Sequence, residues 1–317
     1  MLRVRKPGLL TTVQDLGRPN AMSAGVPPGG VMDRFAHRAA NLLAGNEEGA
    51  ATLECTVSGP ALVALQPCLV AITGADFDPL VNGRPAPMWT SVILGPDDQL
   101  SFAGRRSGAR AYIAVAGGIA GDRWLGSFST NLLAQRGGFH GRPLIAGDVI
   151  AVASPPARRA QGASQSARAI SRHQLNRDLR PAYADHMLPA IAGPHITRLP
   201  AESRKALFGS AYTVGRDADR MGYRLEGHSL DASGDELLSF GLVAGALQVP
   251  RSGQPILLMA DHQTAGGYPV VATLAGAAMP IAAQLLPGDE LSFVEVSIEA
   301  ALRMRAAQRA ALDSLKS

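Results

Sequence analysis

Short apolar runs, each bounded by glycine, proline or aspartate, are the feature that most constrains how this chain of 317 residues can fold. Apolar or alternating runs with turn residues at their ends are typical of β-strands. The 35 glycines and 22 prolines follow no G-x-y period, so they indicate frequent turns. The clearest runs are residues 62–73, 111–116, 149–152, 256–259 and 291–296. The pattern predicts a mainly β fold with few helices.

Only two segments have a clear helical pattern. The first covers residues 33–43, where Asp33 is placed to cap the N-terminus and Gly45 to end the helix. The second covers residues 297–315 and is rich in alanine and arginine, which suits an exposed terminal helix.

The two halves of the chain repeat short motifs at similar offsets. The repeats are Gly-Pro at 59–60 and 193–194, Ser-Gly at 107–108 and 252–253, and Gly-Asp at 147–148 and 288–289. Offsets that drift slightly are what loop insertions produce in a duplicated unit. Each pair is common in β proteins, so duplication and chance likeness both remain open.

The length favours two domains. We predict an N-terminal β lobe over residues 1–153, an Arg/Ser/Ala-rich linker over 154–180, and a C-terminal β lobe with a terminal helix over 181–317. The linker holds six arginines and one acid, a net +5, whereas the whole chain has a net charge of only +4. The basicity is therefore local, and we expect no nucleic-acid partner.

The cysteines and the hydropathy pattern bear on the compartment. Cys55 and Cys68 cannot form a metal site alone and are expected to be buried thiols in a reducing cytoplasm. The basic start of the chain is followed by too short an apolar stretch for a secretory signal. Residues 269–286 form a long charge-free stretch, and its composition predicts buried strand and loop rather than a membrane span. We expect a cytoplasmic protein with no membrane partner.

Several familiar catalytic motifs are missing from the sequence. It has no G-x-x-x-x-G-K-[ST], no G-x-S-x-G and no H-E-x-x-H, and its seven histidines show no i, i+4 pairing. The chain is therefore not expected to hydrolyse nucleotides by itself, and no metal ligands are predicted.

A first polar cluster lies near the N-terminus. Gln14, Asp15 and Arg18 supply an amide, a carboxylate and a guanidinium just before a loop that contains Gly29 and Gly30. Such a loop, leading into a helix, can offer backbone N–H groups to an anion. A turn in which Asp15 pairs with Arg18 is the structural alternative.

A second and richer cluster lies in the C-terminal half. Its candidate members are Asp219, Arg220, Gln248, Gln254, Asp261, His262, Gln263, Gly266, Gly267 and Tyr268. Amides and carboxylates beside exposed backbone suit a neutral, amide-like ligand that needs both donors and acceptors. These side chains could equally satisfy loop backbone groups. His262 is a candidate general base, and a hydrogen-bonded surface histidine is the alternative.

These residues belong to a series of ordered blocks that resembles a known family. The blocks are residues 8–19, 25–33, 40–46, 72–75, 116–119, 125–130, 219–222, 245–250 and 261–269. They resemble the biotin-dependent carboxyltransferase family, also called allophanate hydrolase subunit 2-like. That family includes the C-type component of bacterial 5-oxoprolinase, half of the urea carboxylase carboxyltransferase domain, and the Kip antagonist proteins.

The resemblance implies two cyclophilin-like β-barrel lobes and work in a complex with proteins like the B-type and A-type components of 5-oxoprolinase. For the 5-oxoprolinase branch it implies ATP-dependent hydrolysis of 5-oxo-L-proline to L-glutamate, with ATP used through the complex. Asp15, Arg18, Asp219, Arg220, Asp261 and His262 are then candidate catalytic residues, and the other members of both clusters are candidate substrate-binding residues. We expect these groups to converge in one polar cleft.

Two other functions remain open within the same resemblance. One is the carboxyltransferase half of a urea carboxylase-type system, with biotin supplied by another protein. The other is a non-enzymatic, Kip antagonist-like regulator of a sensor-kinase inhibitor.

The sequence also departs from the family pattern. Phe128, Phe240 and His262 stand where the pattern has Arg, Glu and Arg, and Ala218 and Ala265 replace Ser and Thr. The lost charges could have held an anionic substrate or a carboxylated intermediate. The departures therefore point to an altered substrate or a weakened activity.

Overall fold

The computed structural model describes residues 1–153, 174–232, 234 and 237–316. Most of the predicted linker, residues 154–173, lies outside the described residues. The described end of that linker, residues 174–180, is packed on Trp89. The N–H of Leu175 donates to the carbonyl of Trp89 at 3.1 Å, and the guanidinium of Arg180 lies 5.0 Å from the Trp89 ring centroid.

The chain divides into two compact units with discontinuous sequences. Unit 1 comprises Met1–Arg18, Asp33–Arg180 and Ala310–Ser317, and unit 2 comprises Pro19–Met32 and Pro181–Arg309. Two short segments thus fall in a different unit from the one that the sequence-based division gave them. Unit 2 takes the glycine loop before the first helix, and unit 1 takes the C-terminal residues.

Unit 1 is built from two antiparallel sheets. Its strands are β1 (Leu2–Lys6), β2 (Leu10–Gln14), β3 (Thr52–Thr56), β4 (Ala61–Ala64), β5 (Cys68–Asp76), β6 (Pro79–Val81), β7 (Arg84–Pro85), β8 (Ser91–Leu94), β9 (Gln99–Phe102), β10 (Ser107–Val115) and β11 (Val149–Ile150). One sheet has the order β11-β1-β4-β9-β6-β7 and the other the order β2-β3-β10-β5-β8.

The five-stranded sheet is buried on both faces, and the two faces differ in chemistry. Val13, Leu53 and Ile113 are fully buried in the apolar core of unit 1. The residues that alternate with them along β2, β3 and β10 include Gln14, Glu54 and Tyr112. These polar groups are also buried. Polar side chains can be buried in this way because they hydrogen-bond one another, as Tyr112 Oη does when it donates to Glu54 Oε2 at 2.7 Å.

Helix α1 (Arg34–Leu43) packs on β5 and β10. The side chain of Asp33 accepts a hydrogen bond from the N–H of Ala36 at 2.9 Å. Gly45, at φ +76°, follows the helix and donates its N–H to the carbonyl of Leu42. Both predicted ends of this helix are confirmed.

Unit 2 contains a closed seven-stranded barrel. The strands of this unit are β12 (Met187–Ala192), β13 (Ala211–Val214), β14 (Gly222–Gly227), β15 (Phe240–Gly241), β16 (Ala246–Gln248), β17 (Ile256–Leu258), β18 (Ala265–Gly266), β19 (Val270–Leu274) and β20 (Glu290–Glu295). The helices are α2 (Ala201–Gly209), α3 (Met279–Ala282) and α4 (Ile298–Asp313). The barrel order is β12-β19-β16-β17-β14-β13-β20, and β15 pairs with β18 in a separate ribbon. The barrel interior is filled by apolar side chains that include Leu225, Leu257 and Val271, and Met32 joins this core. The division between the units cuts α4 after Arg309.

The repeated Gly-Asp motif has the same geometry in both units. Asp148 Oδ2 accepts from the N–H of Ile145 at 2.8 Å, and Asp289 Oδ2 accepts from the N–H of Leu286 at 2.8 Å. The preceding glycine is at φ +96° in one case and +92° in the other. Each motif also exchanges two backbone hydrogen bonds with one valine, Val4 in unit 1 and Val214 in unit 2. This match supports the duplication.

The mainly β fold is confirmed, and one strand prediction is wrong. The run at 62–73 forms two strands, β4 and β5, because the chain turns between Ala64 and Cys68. Leu65 donates to Met1 in this turn, and Pro67 has no N–H to continue a strand ladder. The charge-free stretch 269–286 contains β19 and the short helix α3. Within the described residues, every helix is too short or too polar to span a lipid bilayer.

Candidate functional site

The carboxylate of Asp15, at the end of β2 in unit 1, accepts four hydrogen bonds from the protein. Oδ1 accepts from Ser127 Oγ at 2.5 Å, from Ser129 Oγ at 2.6 Å and from the N–H of Gly17 at 2.8 Å. Oδ2 accepts from the N–H of Phe128 at 2.7 Å. Three of these four donors share Oδ1, and one contacts Oδ2.

Arg18 lies beside the same segment and is only 2% exposed. Its Nη2 donates to the carbonyl of Ser129, and its guanidinium carbon lies 4.8 Å from the centroid of the Trp124 ring. The ring contact adds a cation–π attraction that is strengthened by burial. Both predicted charged groups of this cluster therefore contact the segment 124–129.

Gln14 completes the cluster in unit 1. Its Nε2 donates to Thr12 Oγ1 at 3.1 Å and to the carbonyl of Thr130 at 3.2 Å. Its Oε1 is buried and makes no hydrogen bond within the described part of the chain. The amide nitrogen thus fastens β2 to the segment that follows Ser129.

The glycine loop belongs to unit 2 and is already occupied by internal partners. The N–H of Gly29 donates to the carbonyl of Ala260 at 3.1 Å, and the carbonyl of Gly30 accepts from Arg220 Nη2 at 2.5 Å. At the start of α1, the Asp33 carboxylate already caps the N–H of Ala36. The N–H groups of Gly29 and Ala36 are therefore engaged within the protein and are not free donors for a phosphate.

Arg220 and Asp261 form the centre of the cluster in unit 2. Arg220 Nε donates to Asp261 Oδ2 at 2.7 Å and Nη2 donates to Oδ1 at 3.2 Å, and both side chains are largely buried. Asp219 Oδ1 accepts from the N–H groups of Met221 and Gly222, which closes the turn that carries Arg220. The structure therefore brings Gly29, Gly30, Asp219, Arg220 and Asp261 together.

Two glutamine side chains form a linked amide pair at the β15–β18 ribbon. Gln263 Nε2 donates to Gln248 Oε1 at 3.3 Å, and Gln248 Nε2 donates to the carbonyl of Tyr268 at 3.4 Å. Gln248 is only 1% exposed, whereas Gln263 is exposed. Gly266 lies against both amides, since a Cβ there would be 3.2 Å from Gln248 Nε2 and 3.5 Å from Gln263 Nε2. The pair presents the outer edge of the Gln263 amide to solvent.

Two other candidates have local structural partners. Gln254 hydrogen-bonds to the backbone of Gly227 with both ends of its amide, at 3.1 and 3.3 Å. Gly267 lies close to Leu237, and a Cβ there would be 3.0 Å from the Leu237 carbonyl oxygen. Gln254 thus stabilises the end of β14.

His262 is buried next to the ion pair. Its Nδ1 lies 2.7 Å from the carbonyl oxygen of Gln263, which can only accept, so Nδ1 carries the proton and Nε2 the lone pair. Burial lowers the pKa of His262 below its ordinary value, although the Gln263 carbonyl and the Asp261 charge act in the opposite direction. The ring is therefore neutral at neutral pH, with Nε2 able to accept a proton or a hydrogen bond.

The structure adds residues that the sequence analysis did not place in the site. Ser127, Ser129 and Trp124 hold Asp15 and Arg18, yet none of them is a candidate site residue by sequence. Their sequence signal is the block 125–130, in which two serines spaced i, i+2 lie next to glycine and threonine. Among the described residues, no three His, Cys, Asp or Glu side chains are grouped so as to hold a metal ion. Both cysteines are free, and burial raises the pKa of the Cys55 thiol to about 12.

The barrel, the ordered motifs and the extent of similarity define the family. The family model for the carboxyltransferase domain, subdomain A and B, matches residues 24–295 of this chain. The chain therefore belongs to the carboxyltransferase domain family.

Two relatives named as components of 5-oxoprolinase match over nearly their whole length. The chain is 35% identical to the 5-oxoprolinase C subunit of Escherichia coli (strain K12) over 318 residues, which is 99% of this chain and 97% of that protein. It is 32% identical to the 5-oxoprolinase C subunit of Haemophilus influenzae over 96% of this chain and 94% of that protein.

A solved structure shows the same fold within a longer protein. The K. lactis urea amidolyase superposes with a TM-score of 0.89 at 28% sequence identity and covers 99% of this chain. The chain corresponds to only 20% of that protein's length. The similarity therefore concerns one region of the larger enzyme.

Proposed function

We propose that this chain is the C-type component of a complex that hydrolyses 5-oxo-L-proline to L-glutamate with ATP. The observation that supports this most is the 35% identity to a 5-oxoprolinase C-type protein across 97% of that protein. Similarity over both full lengths favours a chain with the same role in an assembly, acting with A-type and B-type partner proteins.

The exposed edge of Gln263 suits the substrate of that reaction. A lactam holds its N–H and its C=O on the same side, as a cis amide. A primary amide can pair with such an edge through two hydrogen bonds, because its oxygen accepts while one N–H donates. The other N–H of Gln263 is directed to Gln248 Oε1, which would hold the amide in place. We assign binding of the lactam edge to Gln263, oriented by Gln248, with Gly266, Gly267 and Tyr268 around it.

The remaining candidates supply charge and proton acceptance. Arg220 is the proposed guanidinium group that stabilises negative charge as the lactam carbonyl is attacked. Arg18, in unit 1 and only 2% exposed, stays a separate predicted catalytic residue. His262 is the proposed proton acceptor, because its neutral ring keeps Nε2 unprotonated. Asp261 and Asp219 hold Arg220 in place. ATP is assigned to the partner proteins, because the sequence has no G-x-x-x-x-G-K-[ST] motif and the N–H of Gly29 is engaged within the protein.

The test is reconstitution of the full chain with its A-type and B-type partners, followed by measurement of glutamate released from 5-oxoproline with ATP. We expect release that requires all three proteins. Gln263→Glu removes both N–H donors and should raise KM for 5-oxoproline at least 10-fold. Gln99→Glu is the matched control, because Gln99 is exposed on β9 in unit 1. The absence of glutamate release from the wild-type complex would exclude this function.

A second candidate function is carboxyl transfer from biotin carried by another protein. The high structural similarity to a urea amidolyase region favours it. The ureido ring of biotin also presents N–H and C=O on one edge, so the Gln263 amide fits that group as well. Binding of biotin or of a carboxybiotin carrier, lost in Gln263→Glu, would support this candidate over 5-oxoproline hydrolysis.

The same reconstitution distinguishes a non-enzymatic regulator. A component of an enzyme should lose turnover in Arg220→Ala or Asp261→Ala while still binding its partners. If the wild-type complex and both variants show no turnover while partner binding persists, the regulatory function is favoured.

A further inference from the structure

The segment that contacts Asp15 contains a strained turn. Trp124 and Ser127 exchange backbone hydrogen bonds of 2.9 and 3.1 Å around Leu125 and Gly126. Leu125 is at φ +49°, a left-handed conformation that a leucine adopts only under constraint, and its side chain is 53% exposed. Contacts of Leu125 itself therefore do not provide the constraint. Strain of this kind persists where the surroundings hold the turn.

The constraint comes from Asp15. Its carboxylate binds the hydroxyls of Ser127 and Ser129 and the N–H of Phe128, three consecutive residues that begin with the last residue of the turn. The serines are further tied to each other and to the backbone. Ser129 N–H donates to Ser127 Oγ at 2.9 Å, and Asp15 N–H donates to Ser129 Oγ at 3.0 Å. Both serines are fully buried, so neither hydroxyl is available to a substrate.

The same cluster fixes Arg18. The guanidinium contacts the carbonyl of Ser129 and the ring of Trp124. Ser129 binds Asp15 directly, and Trp124 is the first residue of the turn. If the turn moves, these two contacts of Arg18 move with it.

We propose that Asp15, Ser127 and Ser129 are positioning residues that set the orientation of Arg18 by holding the turn Trp124–Ser127. In this role Asp15 acts through the hydrogen bonds that it accepts and not as an acid or base. The proposal rests on the proposed function only for its kinetic test, since the structural role can be measured in the chain alone.

The test in the chain alone is limited trypsin digestion of the full-length protein, with the fragments read by mass spectrometry. Arg123 precedes the turn and is exposed. In Asp15→Asn and in the double variant Ser127→Ala/Ser129→Ala, we expect cleavage after Arg123 to be at least 10-fold faster, relative to cleavage after the exposed Arg105. Ser91→Ala is the matched control, because Ser91 is equally buried and its hydroxyl has no hydrogen-bond partner among the described residues. Unchanged cleavage after Arg123 in both variants overturns the proposal.

The kinetic test uses the reconstituted complex. Asp15→Asn and the double serine variant should each lower kcat/KM about 10- to 100-fold through a displaced Arg18. Combining them should add little, because all three residues act as one unit. The shape of the pH–rate profile should stay that of the wild type. If Asp15→Asn removes one limb of that profile while the serine variant retains full activity, Asp15 is an acid–base residue and the proposal fails. A wild-type complex without glutamate release would instead contradict the proposed function, and the digestion would still decide the structural role.

Discussion

The guanidinium of Arg220 holds the carboxylate of Asp261 with two hydrogen bonds and at the same time donates to the backbone carbonyl of Gly30. The Arg220 side chain thus connects Asp261 to the glycine loop. A planar, fork-shaped donor is needed for this, and lysine cannot replace it.

We expect Arg220→Lys to lower the free energy of unfolding by about 1–3 kcal/mol, because a largely buried carboxylate loses a partner. Urea denaturation of the full chain measures this value. Arg204→Lys is the control, since the Arg204–Glu295 ion pair is well exposed and should change stability by less than about 0.5 kcal/mol. Equal losses in both variants would contradict a special role of the Arg220 geometry.

The β15–β18 ribbon offers a matched pair of glycines for testing the amide pair. A Cβ at Gly266 would meet Leu242 Cδ1 at 3.0 Å and Gln248 Nε2 at 3.2 Å, whereas a Cβ at Gly241 would meet no atom within 4 Å. Gly266→Ala should therefore displace the amides and raise KM for the lactam several-fold, and Gly241→Ala should not. Steady-state kinetics of the reconstituted complex decide this, and a similar KM for both variants would count against the amide pair as a binding site.

His37, buried on α1, predicts a specific pH dependence of stability. Its Nδ1 lies 2.9 Å from Thr52 Oγ1, and burial lowers its pKa to about 3. As pH falls from about 6.5 towards 3, the unfolded chain binds a proton that folded His37 does not. The free energy of unfolding should then fall by up to about 1.4 kcal/mol per pH unit through this residue.

Urea denaturation at a series of pH values compares the wild type with His37→Gln, in which this slope should be reduced. His228→Gln is the control, because His228 is exposed. An unchanged slope in His37→Gln would show that other groups cause the acid sensitivity.

The duplicated Gly-Asp motif allows two equivalent aspartates to be compared. Both aspartates accept a hydrogen bond from a backbone N–H in their turn. Asp148 also forms a two-bond ion pair with Arg142, at 2.8 and 2.9 Å. Hydrogen bonding to Arg142 lowers the pKa of Asp148, so its added stability is present above about pH 4 and is lost as pH falls further.

At pH 7, Asp148→Asn should therefore lower the free energy of unfolding by about 0.5–1 kcal/mol more than Asp289→Asn does. The difference is small because Arg142 is partly exposed. At pH 3 the two variants should differ less. Thermal melts at both pH values measure this, and a larger effect of Asp289→Asn at pH 7 would contradict it.

The local features of this fold could be predicted from the sequence. Helix α1 has its cap, its apolar spacing and its terminating glycine within a dozen residues, so each signal could be read directly. The run at 62–73 is misleading because its continuous apolar character hides a turn. Pro67 is the available signal for the break.

The long-range contacts could not be predicted in this way. Asp15 meets Ser129 across a sequence separation of 114 residues, and Arg220 meets Gly30 across 190. Local periodicity contains no information on which distant loop will satisfy a given carboxylate. The sequence therefore identifies Asp15 and Arg220 as chemically useful but not their partners, and the common cleft stays a prediction.

The membership of Pro19–Met32 in unit 2 has a consequence for how the protein is made. This segment leaves the ribosome early, but the barrel that receives Met32 is complete only after β20 has been synthesised. The nascent N-terminal half must keep that segment soluble and unattached while most of the chain is still being translated. A circular permutant that begins at Pro181 would synthesise the barrel strands before this segment and would remove the delay.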